Sequence, residues 1–160
     1  MKKKQKNKKR LILKSKNIEK DWRSLLLNLN KFDLVIASGG IIQNNLKESL
    51  FIYRNGYWDL PKGKVEKNEK LVNAAKREIF EECGLKNLEH NSFIAKTHHI
   101  YFENGQGKLK ETNWFSFYSY DSQVLKPQFE EGITEIKWVQ KKYLQFYLNK
   151  SFSSIEELFK

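Results

Sequence analysis

Hydrophobic residues recur at two different spacings along the chain, and the change of spacing predicts strands that are interspersed with helices. Residues rich in β-branched, aromatic and aliphatic side chains predict strands at 33–43, 48–54, 92–102, 109–120 and 133–139. Asn44-Asn45 predicts the turn of a first hairpin, and the Asn-Gly-Gln-Gly segment at 104–107 predicts the turn of a second. This order predicts an α/β (α+β) fold, an α/β/α sandwich with a mixed β-sheet between helices.

Helical spacing predicts a short helix at about 21–28, a long helix at 68–84 and a last short helix near 153. In the long helix, Asn68 is the expected N-cap and Gly84 the expected end. Its apolar stripe, which should face the sheet, comprises Val72, Ala75, Ile79 and Cys83. Ser153 and Glu156 have the spacing of a capping box for the last helix.

The segment before the long helix is predicted to be a loop from 55 to 68, in which Pro61 stops regular structure and Gly63 frees the backbone. Gly39-Gly40 lies inside the first predicted strand, where paired glycines indicate a close backbone approach or a bulge.

Composition favours one ordinary globular domain. The chain has 160 residues, of which 39% are hydrophobic and 14% aromatic, enough for a hydrophobic core without cross-links such as disulfide bonds. We expect a basic, flexible tail at 1–16 and a single domain at 17–160. Cys83 is the sole cysteine, and no apolar run approaches the length of a membrane-spanning helix, so we expect a soluble, cytoplasmic protein.

The formal charge of +11 is concentrated near the start of the sequence. Residues 1–20 hold ten basic side chains against one acidic side chain, whereas the other 140 residues hold 20 basic and 18 acidic side chains. The basic tail is either an arm that meets nucleic acid or anionic lipid through phosphate charge, or a solvated leader. Its lack of aromatic residues favours the leader, because lysines alone do not stack on bases.

The long helix carries three carboxylates, Glu78, Glu81 and Glu82, at spacings that bring their oxygens to one side. Such a group is either a solvated acidic face or a set of ligands for Mg²⁺ or Mn²⁺, which prefer oxygen donors. Arg77 precedes Glu81 by four residues, so it can form a helical ion pair that orients a carboxylate.

Residues 63–85 decide between these two interpretations. They read Gly, five residues, Glu, seven residues, Arg-Glu, an aliphatic residue, any residue, Glu-Glu, any residue, Gly and an aliphatic residue. The nine defined positions are Gly63, Glu69, Arg77, Glu78, Ile79, Glu81, Glu82, Gly84 and Leu85. This segment resembles the Nudix box, and the resemblance extends over most of residues 33–140. It implies a mixed sheet between helices and hydrolysis of a nucleoside diphosphate linked to another group.

The resemblance also implies roles for the site residues. Glu78, Glu81 and Glu82 are the expected ligands of Mg²⁺ or Mn²⁺, with a backbone carbonyl of Lys62 or Gly63, and Glu78 is alternatively the general base. Arg77 is expected to orient the carboxylates. A further Glu outside the box often binds metal or acts as base in the family; here Glu131 is preferred over Glu130, and the alternative is a polar loop.

Substrate contacts are expected next to the metal loop. Arg54, Lys62 and Lys64 are candidate phosphate ligands, although each could equally be a solvated cation. The run 58–64, Trp-Asp-Leu-Pro-Lys-Gly-Lys, looks similar to members that act on diadenosine polyphosphates or diphosphoinositol compounds. We therefore expect a small-molecule nucleotide substrate, a dinucleoside polyphosphate among the options. The alternatives are an RNA-end pyrophosphohydrolase that uses the tail, and a non-catalytic nucleotide sensor.

Overall fold

The computed structural model describes residues 32–120 and 123–160. The predicted tail at 1–16 and the predicted helix at 21–28 lie outside the described residues. The chain divides into two compact units, and the described part of the first comprises 32–35 and 98–111. In that unit the ring centroids of Phe32 and Phe102 lie 6.2 Å apart, and Lys108 Nζ lies 2.6 Å from Asp33 Oδ2. The assignment of 17–160 to a single domain stays a prediction.

The second unit, 36–97 and 112–160, contains most of the secondary structure. The strands are β1 (Phe32–Asn44), β2 (Ser49–Arg54), β3 (Tyr57–Asp59), β4 (Lys62–Lys64), β5 (Glu89–Glu103), β6 (Gln106–Ser119) and β7 (Ile133–Val139). Within the described residues they form a seven-stranded sheet in the order β3-β2-β1-β6-β5, with β4 paired to β1 and β7 paired to β2. All five predicted strands are therefore present.

Two strands lie inside the segment that was predicted to be a loop. β3 pairs antiparallel with β2, and β4 pairs antiparallel with β1 through Ala37↔Lys64 and Gly39↔Lys62. The loop prediction for 55–68 was wrong at these positions, because strands of three residues are too short to show a periodicity. The pairing holds the segment around Pro61 against the middle of β1.

The helices are α1 (Leu71–Cys83), α2 (Leu144–Leu148) and α3 (Ser153–Glu156), and 3-10 turns occur at Phe129–Glu131, Lys141–Tyr143 and Glu157–Phe159. No helix among the described residues is long and apolar enough to cross a membrane.

Both predicted N-caps were wrong, whereas the predicted end of α1 is confirmed. Asn68 has a φ of +64° and lies before the helix; Lys70 is the N-cap and makes no side-chain capping bond. Ser153 is already helical, and its buried hydroxyl has no hydrogen-bond partner among the described residues. Gly84 ends α1 with a φ of 80°, and its N–H donates to the Phe80 carbonyl.

Side chains that alternate along β2 enter two cores on opposite faces of the sheet. Leu50 and Ile52 pack with Ala75, Ile79 and Cys83 of α1. Phe51 packs on the other face with residues of α2 and α3, and Tyr53 lies at the edge of that core. This arrangement confirms the helix-sheet-helix layering, since a period of two sends successive side chains to opposite faces.

The paired glycines of β1 allow a close approach on both faces. A Cβ at position 39 would lie 2.5 Å from the Pro61 carbonyl oxygen, and one at position 40 would lie 2.8 Å from Ile79 Cδ1 and from Phe117 Cδ2. Close approach, one of the two options that the sequence left open, explains these glycines. It brings α1 and the segment before it against the sheet.

Gly40→Ala should destabilise the protein by about 1–3 kcal/mol, because the added methyl overpacks the core between α1 and the sheet. Chemical denaturation gives the free energy of unfolding. Ile79→Val removes the Cδ1 atom that meets the new methyl, so the double variant should lose less stability than the two single losses added together. A Gly40→Ala protein as stable as the wild type would contradict this account of the packing.

Candidate active site

Two carboxylates of α1 meet the backbone of β4. Glu82 Oε2 accepts a hydrogen bond of 2.9 Å from the Lys62 N–H. The Glu78 carboxylate lies directly against Gly63, where any Cβ would collide with it. Gly63 does not have a positive φ, so the glycine is needed for space and not, as the sequence suggested, for backbone freedom. Helix and strand together thus place Glu78 and Glu82 beside the same two backbone residues.

Glu82 is almost completely buried, with 2% of its surface exposed. Its Oε1 accepts a hydrogen bond of 3.0 Å from Arg54 Nη1. Burial raises the pKa of Glu82 from 4.5 to about 7, and the neighbouring Glu78 adds to the rise, while Lys62 and Arg54 oppose it. The site therefore holds a carboxyl group whose charge is costly without a cation beside it.

Arg54 connects the helix to the loop before β7. Its Nη2 donates a hydrogen bond of 2.7 Å to Glu131 Oε2, while its Nη1 bonds to Glu82. Glu131 lies in the 3-10 turn, and 51% of its side chain is exposed. The structure thus joins Glu131 to the carboxylates of α1 through one guanidinium group, although 49 residues of sequence separate Glu131 from Glu82.

Arg77 holds the remaining carboxylates. It donates two hydrogen bonds of 2.9 Å to Glu69, one of 2.7 Å to Glu78 and one of 3.1 Å to Glu81. It also donates to the Lys64 carbonyl oxygen at 2.9 Å. The hydrogen bond with Glu69 is the largest cause that raises the pKa of Arg77 and lowers that of Glu69. Arg77 thus ties the start of the box, β4 and the acidic face of α1 together.

Lysines 62 and 64 differ in their surroundings. The Lys62 ammonium lies 2.6 Å from Asp59 Oδ2, 3.3 Å from the Leu60 carbonyl oxygen and 5.9 Å from the centre of the Trp114 ring. The Lys64 side chain is exposed. Asp59 is 5% exposed and was not singled out in the sequence, although it lies in the run before the box. It fixes the position of Lys62.

The carboxylates of this site are the kind of donor that a divalent cation prefers. Glu78 and Glu82 bring hard oxygen donors to the Lys62-Gly63 backbone, and the Cα of Gly63 leaves open the volume that Glu78 occupies. Glu81 is further out, with 42% of its side chain exposed. Across 32–120 and 123–160, no three acidic, histidine or cysteine side chains are arranged to hold a metal ion together. Arg54 and Arg77 hold these carboxylates instead, and the ligand roles stay predictions.

Comparison with known proteins points to one family. The model of the NUDIX domain matches residues 33–156. The chain is 46% identical over 41 residues to an 8-oxo-dGTP diphosphatase of Buchnera aphidicola subsp. Acyrthosiphon pisum (strain APS), which is 26% of this chain and 33% of that protein. It is 35% identical over 66 residues to an RNA pyrophosphohydrolase of Pelagibacter ubique (strain HTCC1062), 38% of this chain and 42% of that protein. The matched stretches thus span less than half of either relative.

Solved structures share the fold over a larger part of the chain. The MutT protein from Methanosarcina mazei Go1 matches with a TM-score of 0.61 and 23% identity, over 81% of this chain and 92% of that one. A binary complex of Ap4A hydrolase from C. elegans matches with a TM-score of 0.62 and 21% identity, over 78% and 91%. At these identities the likeness concerns the fold alone.

The raised pKa of Glu82 predicts how the stability of the metal-free protein depends on pH. Below pH 4.5 the carboxyl is protonated in the folded and unfolded states; between 4.5 and about 7 only the folded state keeps the proton. In EDTA, the free energy of unfolding should therefore fall by up to about 3 kcal/mol as the pH rises from 4.5 to about 7, and this component should level off above pH 7.

Glu82→Gln has no proton to release, so its stability should lack this component of the pH dependence. Denaturant unfolding of both proteins at several pH values between 4 and 8 measures the difference. If the two curves run parallel, Glu82 does not titrate in this range and the account of its burial fails.

Proposed function

The chain belongs to the NUDIX domain family, and we propose that it is a divalent-metal-dependent hydrolase. Its reaction is the cleavage of a phosphoanhydride bond in a nucleoside diphosphate that is linked to another group. The observation that carries the proposal is the meeting of Glu78 and Glu82 at the Lys62-Gly63 backbone, with Arg54 beside them. Acidic oxygens and a guanidinium group in one place suit a metal-bound diphosphate.

Glu78, Glu81 and Glu82 would hold Mg²⁺ or Mn²⁺, together with the carbonyl of Lys62 or Gly63. When bound, the ion supplies charge neutralisation at the phosphoryl oxygens and lowers the pKa of a coordinated water. Arg77 keeps Glu78 and Glu81 in place, because its donors bond to both of them and to Glu69. The arginine is therefore a positioning residue.

In the reaction, a water oxygen bonds to phosphorus as the bridging P–O bond breaks, and the leaving phosphate takes the electron pair of that bond. A carboxylate must accept the proton of the water, and Glu131 and Glu78 are the two candidates. Glu131 is half exposed and reaches the site through Arg54, which suits it for contact with water. Arg54 presents a planar pair of donors at the site, and Lys62 presents an ammonium; both match phosphate oxygens.

The substrate proposed first is a nucleotide or dinucleoside polyphosphate. Sequence or fold similarity to an 8-oxo-dGTP diphosphatase and to an Ap4A hydrolase supports a small nucleotide. A second candidate is the 5′ end of RNA, supported by two observations: similarity to an RNA pyrophosphohydrolase and the ten basic residues among the first 20. Both candidates need the same bond to be broken.

Glu82→Gln should lower turnover at least about 100-fold, because even outer partners of metal ligands are worth 10–100-fold and this change removes a proposed ligand. The assay is a panel of nucleotides and capped dinucleotides with Mg²⁺ or Mn²⁺, with products read by mass. Glu157→Gln is the matched control, since Glu157 is exposed at the start of the last 3-10 turn, and it should leave turnover unchanged.

Near wild-type turnover by Glu82→Gln would refute the assignment of Glu82. A wild-type protein that binds a nucleotide but turns over no member of the panel would refute the hydrolase and favour a nucleotide sensor.

Deletion of residues 1–16 tests the RNA candidate. It removes nine basic side chains, so the cleavage of 5′-triphosphate RNA should weaken and lose part of its salt dependence, while turnover of small nucleotides stays constant. A second variant, in which the same nine residues become Gln, keeps the length of the chain and removes only the charge. Equal effects on RNA and on small nucleotides would exclude a role of the tail in RNA binding.

A further inference from the structure

An open pocket of about 550 Å³ lies between the β2–β3 hairpin, β7 and α2. Its lining is mainly aromatic, from Tyr53, Tyr57, Trp58, Phe146 and Tyr147. The Trp58 side chain is 6% exposed, whereas Tyr57 and Phe146 are 48% and 56% exposed. The pocket thus has a buried aromatic floor and two aromatic side chains open to solvent.

The pocket and the carboxylate site lie on opposite faces of the sheet. Arg54 follows Tyr53 in β2, and it bonds to Glu82 on the α1 face. Tyr53 packs with Phe51 and Trp58 in the core that faces α2 and α3. The pocket is therefore separate from the residues proposed to cleave the anhydride.

Neighbouring aromatic rings of the pocket contact one another at tilted or edge-on angles. The ring centroids of Tyr53 and Trp58 are 5.0 Å apart, those of Trp58 and Tyr147 are 4.7 Å apart, and those of Tyr147 and Phe146 are 5.6 Å apart. Contacts at these distances hold the rings in place. A flat aromatic ligand would meet a surface that is already ordered.

Two ammonium groups lie at the same rings. Lys137 Nζ is 5.8 Å from the centre of the Trp58 ring, and Lys150 Nζ is 4.2 Å from the centre of the Phe146 ring. Lys137 is paired with Glu135 at 2.5 Å. The two lysines outnumber this single carboxylate, so the pocket favours a ligand with a negative charge beside a flat ring.

We propose that this pocket binds a nucleoside monophosphate unit, with the base against the aromatic surface and the phosphate at Lys150 and Lys137. The unit is either a free nucleotide or one residue of a single-stranded RNA. Stacking on aromatic side chains accepts any base, and lysines meet the phosphate as point charges. The inference does not rest on the proposed hydrolysis, because no residue of the pocket belongs to that site.

The test is calorimetric titration of the full-length protein in EDTA, in which metal-dependent turnover is absent. AMP should bind more tightly than adenosine or ribose 5-phosphate, because only AMP offers both the base and the phosphate. A short oligoadenylate serves as the second arm. Tighter binding of the oligonucleotide than of AMP identifies RNA as the source of the unit, and equal binding identifies the free nucleotide.

Two pairs of variants locate the binding. Phe146→Ala and Lys150→Gln should each weaken AMP binding, the former about tenfold through lost stacking. Tyr143→Ala and Lys142→Gln are matched controls: Tyr143 is 54% exposed, its ring lies 4.8 Å from Lys142 Nζ, and both residues lie outside the pocket. The controls should bind AMP like the wild type. All four changes affect exposed or half-exposed side chains, so the fold should be retained.

Absence of AMP and oligonucleotide binding at millimolar concentration would overturn the proposal. Equal losses of AMP affinity in the pocket variants and in the controls would also overturn it, because the binding would then not be specific to the pocket. Glu82→Gln distinguishes this site from the hydrolytic one: if it alone abolishes AMP binding, the nucleotide binds at the carboxylates and the pocket assignment fails.

Discussion

The contact of α1 with β4 determines the organisation of the candidate site. The Glu78 carboxylate occupies the volume that a side chain at position 63 would need, and Glu82 receives the N–H of Lys62. Two glycines of β1 also allow this approach: Gly39 leaves room for Pro61 and Lys62, and Gly40 leaves room for Ile79 of α1. Because the helix cannot slide without breaking these contacts, the spacing of its carboxylates from the β4 backbone is set by packing and not by ligand binding.

This packing brings several negative charges close together, and two arginines offset the repulsion between them. Several carboxylates are gathered around one end of β4, and Glu82 is buried, so each negative charge needs a partner to offset the loss of water. Arg77 pairs with three glutamates, and Arg54 bridges Glu82 and Glu131. A divalent cation bound among the carboxylates would compete with these guanidinium groups. Arg54 would then have donors available for a phosphate.

Prediction from the sequence succeeded where a pattern is local, as in the five predicted strands and the end of α1 at Gly84; the roles of the site residues stay predictions. The box motif led to Gly63, Arg77 and the three glutamates because all of them lie within 23 consecutive residues. The strands β3 and β4 were missed because three residues are too few to show a period. Asn68 was misread as an N-cap because asparagine suits a left-handed turn equally well, and that is the conformation it adopts here.

The pairing of Arg54 with Glu131, across 77 residues, had no local signal at all. Only the β2–β7 register explains it, because that register places Arg54 opposite Ile133, next to the turn that holds Glu131. The same register places Glu135 opposite Tyr53 and Lys137 opposite Phe51, so one strand pair contributes to both faces. The register shift between Tyr53 and Arg54 lies where β2 passes from the aromatic pocket to the carboxylate site. Since a one-residue slip would exchange the faces, the register of β2 and β7 keeps a polar site and an aromatic pocket apart.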